Sequence, residues 1–170
     1  MKKFSIYNLQ LCVLCFFVFI FFTSITQETS AQEKNLNDSV IVTSEIRASL
    51  NKLNEVLATK DLKTVMSIYD DSDDITVIGS DSGEVFIGRS QVQKFMKIII
   101  SMPFVFSFVM EPVTISFDQN IAWVFVDGKM VHTRDNGKIS KFPYRIMAVM
   151  VKRGNEWKWK VFSGSIPRGE

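Results

Sequence analysis

The chain has 170 residues and a net charge of +2, and its acidic and basic side chains are mixed along its length. This length allows one domain and a leader, and the balanced charge excludes the basic footprint of a nucleic-acid-binding protein. Both cysteines, Cys12 and Cys15, precede residue 32, so a mature domain would contain no disulfide, no thiol nucleophile and no cysteine-ligated metal.

The first 31 residues have the pattern of a secretory signal peptide. Lys2 and Lys3 precede the apolar run Leu11–Phe22, and small residues at positions 29–31 indicate a cleavage site before Gln32. The run of 12 residues is shorter than the roughly 20 residues that span a bilayer. We therefore expect a secreted or periplasmic protein with no membrane span after cleavage, and an uncleaved anchor is the alternative.

Between the leader and Pro103 the sequence predicts a flexible tether over residues 32–43, three helices and a small hairpin. Apolar residues at helical spacing, a capping aspartate, a capping box and a terminating proline define these elements. They are a helix over Ser44–Thr59, a helix over Leu62–Tyr69 capped by Asp61, short strands over Thr76–Gly79 and Glu84–Ile87, and a helix from the Ser90/Gln93 capping box to Met102.

Four long β-strands follow, and they give the domain at residues 44–167 its fold class. The strands are predicted over Phe104–Phe117, Ile121–Thr133, Phe142–Lys152 and Trp157–Ser165. Pro112 predicts a kink in the first of them, and Asp127-Gly128 predicts a bulge in the second. The order of elements predicts an α+β fold in which a curved antiparallel sheet is covered on one face by the three N-terminal helices.

Short motifs spread over residues 44–167 resemble the SnoaL-like branch of the nuclear transport factor 2-like superfamily. They are the runs at 73–81 and 83–84, Gly88-Arg89-Ser90, Ala122-Trp123-Val124, Tyr144-Arg145, Trp157-Lys158 and Ser165-Ile166-Pro167. The resemblance implies a cone-shaped sheet with an internal pocket. It does not fix the function, because the superfamily includes isomerases, dehydratases, polyketide cyclases and non-catalytic binding or dimerising domains.

The C-terminal strand departs from the pattern of these relatives. They commonly carry two histidines there, at the positions that Val161 and Ser163 occupy in this chain. Any acid–base chemistry that depends on those histidines in relatives is therefore absent here.

Four residues are predicted to bind a ligand: Trp123, Tyr144, Arg145 and Ser163. Arg145 interrupts an apolar strand, and a buried guanidinium requires a partner. It therefore pairs with a carboxylate, meets an anionic ligand group, or points outward as an ordinary surface residue. A three-residue turn over residues 153–155 would place Arg145 opposite Ser163.

The candidates for acid–base or metal chemistry are fewer. Asp81, in the hairpin turn, is a weak candidate for a general base and would need a desolvated site. His132 is the only histidine, expected to be exposed at a strand end, so no site built on a histidine pair can form and no metal or cofactor is expected. The aspartates at 70, 71, 73 and 74 lack the spacing of a calcium loop and are expected to be solvated.

The function that these features favour is an exported domain that binds a small, mostly apolar molecule without a cofactor. One alternative is a lyase or isomerase that uses a pocket carboxylate as its base. The other is a dimerisation or scaffold module, because the strand Ile121–Val126 has apolar residues on both of its faces and a homodimer could use the outer one.

Overall fold

The computed structural model describes residues 36–167, so the predicted signal peptide and its cleavage site lie outside the described residues. Residues 36–42, within the predicted tether, are helical, and the compact unit that carries the fold begins at Thr43. In the part of the chain that is described, no helix combines the length and the apolarity needed to cross a membrane.

Three helices precede the long strands, as the sequence predicts. They are α1 over residues 36–58, α2 over Leu62–Met66 and α3 over Arg89–Ser101. The predicted stripe of α1 is buried, and Asp61 caps α2 by accepting a hydrogen bond of 2.8 Å from the backbone N–H of Thr64. Both features confirm that amphipathic spacing and capping residues indicate these two helices, although α1 begins at residue 36 and not at Ser44, and α2 ends at Met66 and not at Tyr69.

The start of α3 differs from the prediction. The helix begins at Arg89 with Gly88 as its N-cap, and no side chain caps it, so the capping box of Ser90 and Gln93 does not form. Gly88 has a φ of 86°, and a Cβ at this position would lie 3.0 Å from the carbonyl oxygen of Asp73. A glycine turn against a neighbouring backbone therefore starts this helix, in place of a hydroxyl cap.

Seven strands form one mixed, curled sheet. They are β1 over Thr76–Ile78, β2 over Val85–Ile87, β3 over Phe104–Val109, β4 over Val113–Asp118, β5 over Ile121–Arg134, β6 over Ile139–Arg153 and β7 over Glu156–Ser165. Their order is β2-β1-β7-β6-β5-β3, and β4 also pairs with β5.

The α+β fold class is confirmed, with one addition to the predicted sheet. Strands β3 to β7 pair in antiparallel fashion, whereas β1 pairs with β7 in parallel. The β1–β2 hairpin therefore extends the sheet beyond β7 and does not cover the face of the sheet. This position brings the hairpin turn beside the end of β7.

The predicted strand Phe104–Phe117 is divided at residues 110–112. Its halves, β3 and β4, pair with opposite ends of β5, which confirms the kink at Pro112. The bulge predicted at Asp127-Gly128 is wrong on the β6 side, since the register between β5 and β6 continues through both residues. Gly128 instead allows a close approach of two backbone segments, because a Cβ there would overlap the carbonyl group of Val109.

The pairing predicted for Arg145 is wrong. Arg153 pairs with Glu156, so the turn has two residues and not three, and a bulge between Val149 and Met150 shifts the register again. Arg145 consequently lies opposite Ser165 and not Ser163. The two single-residue shifts add, so neither the turn nor the bulge alone gives the observed register.

The two faces of the sheet have different environments. Alternate residues of β5 and β6 are buried beneath the helices: Ala122, Val124, Val126, Met130, Tyr144, Ile146, Ala148 and Met150. We call this side the inner face and the opposite side the outer face. α1 is also joined to β3, because the Asn54 amide accepts from the N–H of Phe108 at 2.7 Å and donates to its carbonyl at 2.8 Å.

One aspartate of the acidic cluster is buried, contrary to expectation. Asp70 is 3% exposed and forms two hydrogen bonds with the Arg153 guanidinium, at 2.8 and 3.0 Å, and accepts one from Ser72 at 2.6 Å. The Lys160 ammonium lies 3.6 Å from the same carboxylate. The chain before β1 is thus connected to β6 and β7 by a charged network.

Candidate ligand-binding site

A cavity of about 330 Å³ lies between the helices and the inner face of the sheet. Its wall is mostly aromatic and aliphatic, and its polar residues come mainly from the β1–β2 hairpin. The lining residues are Leu53, Leu57, Tyr69, Gly79, Ser80, Asp81, Glu84, Phe95, Met96, Ile99, Met102, Phe104, Phe106, Phe108, Met130, His132, Tyr144, Phe162 and Ile166. Such a lining, apolar with a few polar groups at one side, is typical of sites for small molecules.

Strand alternation explains why β3 supplies three phenylalanines to this wall. Phe106 pairs with His132 and Phe108 pairs with Met130, so all four side chains point to the inner face. The imidazole of His132 stacks on Phe104 with ring centroids 4.4 Å apart, and it meets Phe106 edge-on at 4.7 Å. This end of the cavity is therefore an aromatic cluster with an imidazole among its rings.

His132 is half-buried, and its Nε2 atom is fully buried with no hydrogen-bond partner among the described residues. Burial lowers the pKa of His132, and the nearby charge of Arg134 lowers it further. The imidazole is consequently uncharged at neutral pH. The predicted exposure of His132 is wrong: the neighbouring Asn-Gly turn is at the surface, but the imidazole lines the cavity. The sequence itself indicates that His132 lies on the inner face, because it continues the alternation of Val126 and Met130 along the strand.

Tyr144 is the one predicted ligand-binding residue that lines the cavity. It is 5% exposed, and burial raises the pKa of its phenol. A hydrogen bond with Ser80 opposes that shift, whereas the negative charges of Glu84 and Asp81 add to it. Gly164 makes the position possible, because a Cβ there would overlap the Tyr144 hydroxyl.

Two carboxylates from the hairpin lie at the polar side of the cavity. Glu84 closes the turn: its Oε2 accepts from the N–H of Asp81 at 3.1 Å, and its carbonyl accepts from the N–H of Gly79 at 2.8 Å. Asp81 is exposed, so it does not have the desolvated surroundings that a carboxylate base requires. Both carboxylates can therefore attract a cation, or accept hydrogen bonds from a molecule in the cavity.

Trp123, Arg145 and Ser163 do not line the cavity, because all three belong to the outer face. Trp123 is 49% exposed, and Ser163 pairs with Met147 in the outward-facing register. The Nε of Arg145 donates to Asp127 at 3.0 Å, with both side chains about half exposed. Of the options considered for Arg145, the structure shows an outward-facing residue that pairs with a carboxylate.

Within residues 36–167, the structure contains no group of three or more histidine, cysteine, aspartate or glutamate side chains that could hold a metal ion. The ionisable groups of the cavity are limited to the hairpin carboxylates, two buried phenols and one imidazole. This set can hold a ligand by hydrogen bonds and charge.

Several solved structures have the same fold as this chain. A nuclear transport factor 2-like superfamily protein from Salmonella enterica serovar Typhimurium is 20% identical, with a TM-score of 0.65 over 77% of this chain and 94% of that one. A proposed dehydratase of that family from Streptomyces avermitilis is 15% identical, with a TM-score of 0.65 over 75% and 97%. A proposed scytalone dehydratase from Novosphingobium aromaticivorans is 14% identical, with a TM-score of 0.64 over 79% and 93%.

Identities this low show the fold alone, and the sequence supplies the family. Residues 46–169 match the model of the SnoaL-like domain, and the chain belongs to that family. The resemblance noted from the short motifs is thereby confirmed. A search of curated proteins finds no match to the chain.

Proposed function

We propose that this protein is an exported binding protein that holds a small, mostly apolar molecule in the cavity between its helices and the inner face of its sheet. The observation that carries the proposal is the cavity itself, about 330 Å³ in volume and lined by rings and aliphatic side chains from every layer of the domain. The leader at residues 1–31 supports export to the periplasm or the medium.

Apolar walls support binding, and they support catalysis less. A cleft of this volume, apolar with a few polar groups, has the size and the lining of pockets that take small molecules. The acid–base alternative needs a desolvated carboxylate in the pocket, whereas Asp81 is exposed and the half-buried Glu84 already accepts a hydrogen bond from the N–H of Asp81. Neither the cavity nor the leader identifies a reaction.

A pair of adjacent substitutions in α3 tests the cavity as the binding site. Ile99 lines the cavity, whereas Ile98 is 56% exposed and does not. In a thermal-melting screen of apolar metabolites and lipids, a ligand at 100 times its Kd should add about 2.7 kcal/mol of stability, which is several degrees. We expect this shift in the wild-type and Ile98→Trp proteins, and its loss in Ile99→Trp because the indole fills the cavity.

Equal shifts in Ile98→Trp and Ile99→Trp would place the ligand elsewhere and contradict the proposal, as would the absence of any shift across a broad panel. The intact mass of the protein recovered from the export compartment tests the leader at the same time. Cleavage should leave a chain that begins at Gln32.

A second candidate function, homodimerisation, is favoured by the outer face. Trp123, Phe125 and Met147 lie side by side there, since Phe125 pairs with Met147 and Trp123 with Val149, and Met147 is 62% exposed. Exposed apolar side chains in contact with one another mark protein–protein sites. A second copy of this chain is the occupant we propose, because two such faces pack on each other through a two-fold axis without another partner.

Charging the outer face tests the dimer. We expect Met147→Lys to weaken self-association roughly tenfold or more, since a lysine would be desolvated in both halves of a two-fold interface. Ile98→Lys makes the same change at an exposed isoleucine of α3, away from this face, and is expected to have no effect. Sedimentation equilibrium gives the masses, and a wild-type protein that stays monomeric at high concentration would exclude this candidate.

A further inference from the structure

The charges around the cavity are all of one sign among the residues that line it. Asp81 and Glu84 are acidic, no lysine or arginine is a lining residue, and His132 is uncharged at neutral pH because burial lowers its pKa. The carboxylates also act inside the cavity, since their charge contributes to raising the pKa of the buried Tyr144 phenol. The polar side of the cavity is therefore a negative site next to an aromatic one.

Two cations close in sequence to lining residues do not themselves line the cavity. Lys60 donates to the carbonyl of Met102 at 3.0 Å from an exposed position, and Arg134 is exposed at the end of β5. Neither lies at the hairpin. The Asp81 carboxylate forms no ion pair with another residue in the range 36–167, so its charge is not compensated within the described chain.

We infer that the ligand of this cavity is an amine: a cationic amphiphile whose ammonium group lies against Asp81 and Glu84 and whose apolar body packs among the rings of the cavity. This inference rests on the proposed function and specifies its ligand class. Desolvated cations are also attracted to the faces of aromatic rings, and the hairpin places its carboxylates beside Tyr144. A carboxylate ligand would instead meet two like charges at the same position.

Three naphthalene probes of nearly equal size and different charge test the inference: 1-naphthylmethylamine, 1-naphthalenemethanol and 1-naphthaleneacetate. At neutral pH they are a cation, a neutral alcohol and an anion. Their dissociation constants for the wild-type protein are measured by calorimetry at low ionic strength. We expect the amine to bind about tenfold more tightly than the alcohol, the acetate to bind most weakly, and the advantage of the amine to shrink in added salt.

Two aspartates in turns provide matched variants. Asp81→Asn removes one carboxylate of the cavity. It keeps the backbone N–H that donates a hydrogen bond to the Glu84 carboxylate, so the hairpin keeps its turn. Asp135→Asn makes the same charge change in the turn between β5 and β6, which does not line the cavity. The amine should lose most of its advantage in Asp81→Asn and keep it in Asp135→Asn, while binding of the alcohol should be the same in all three proteins.

The outcomes separate this inference from the function on which it rests. Equal binding of amine and alcohol, tighter binding of the acetate, or an amine advantage that survives Asp81→Asn would overturn the amine class and leave the apolar binding site in place. Absence of binding by all three probes would overturn both.

Discussion

Gly128→Ala is expected to cost about 3 kcal/mol of unfolding free energy, at the upper end of the usual penalty for overpacking. The new methyl group would overlap the carbonyl group of Val109, where the chain passes from β3 to β4. A main-chain group of a paired strand cannot rotate aside as a flexible side chain can. Either β5 must move away from β3, or hydrogen bonds next to the break at residues 110–112 must be lost.

Urea denaturation measures this loss, and a thermal midpoint lower by roughly 10 °C should accompany it. Gly137→Ala is the control. Gly137 has a φ of 77° but nothing within 4 Å of its missing Cβ, so alanine there incurs only the backbone strain of a left-handed conformation, about 1 kcal/mol. If the two variants are equally stable, the close approach of Val109 does not explain the glycine.

Asp70→Asn is expected to cost about 2 kcal/mol at pH 7, because it removes the charged acceptor of several hydrogen bonds at a buried position. The hydrogen bonds from Arg153 lower the pKa of Asp70 below its ordinary value. Burial raises this pKa, whereas the hydrogen bond from Ser72 and the charge of Lys160 lower it further. An isosteric amide keeps the volume and loses the charge. Asp71→Asn is the matched control, since that side chain is 94% exposed and its ion pair with Arg89 is therefore expected to contribute little.

The direction of the pH dependence follows from the lowered pKa. The folded protein binds this proton less readily than the unfolded chain does, because unfolded aspartates titrate near pH 4. The stabilisation by Asp70 is therefore complete above that pH and is lost as the pH falls below it. Urea denaturation of wild type and Asp70→Asn should show a difference that is constant from pH 7 to pH 5 and smaller at pH 3. A difference that grows on acidification would contradict this assignment.

The ligand-binding residues show where reasoning along one strand stops. The sequence predicts Arg145 and Trp123 as ligand-binding residues, and the structure places both on the outer face, with Arg145 paired to Asp127. The neighbouring Tyr144 faces the cavity. Adjacent residues of a strand point to opposite faces, so a choice between Tyr144 and Arg145 requires knowing which face is buried. The sequence of β6 does not show this, because the strand is apolar on both of its faces.

His132 and the β3 phenylalanines show the opposite case, in which the sequence contained a usable signal. Positions 122, 124, 126, 130 and 132 alternate along β5, and Phe104, Phe106 and Phe108 alternate in the same way along β3. Extending the alternation to the end of the strand places His132 inside. The Asn-Gly turn suggested exposure, but a curled sheet keeps the end of a long strand beneath the facing helix and loop.

By itself the sequence determined the order and type of the elements, the family, and the stripe of α1 that is buried, because these depend on local periodicity, capping and turn residues. Only the tertiary structure decided the register of β6 against β7, the parallel addition of the hairpin to β7, the burial of Asp70 and the side of the sheet that holds the cavity. The physical reason is that these features depend on residues far apart in the chain. A change of one residue in the length of a turn, or a bulge of one residue, exchanges the two faces of a strand. The Asp70 carboxylate is buried only because Arg153, more than 80 residues away in the chain, can reach it.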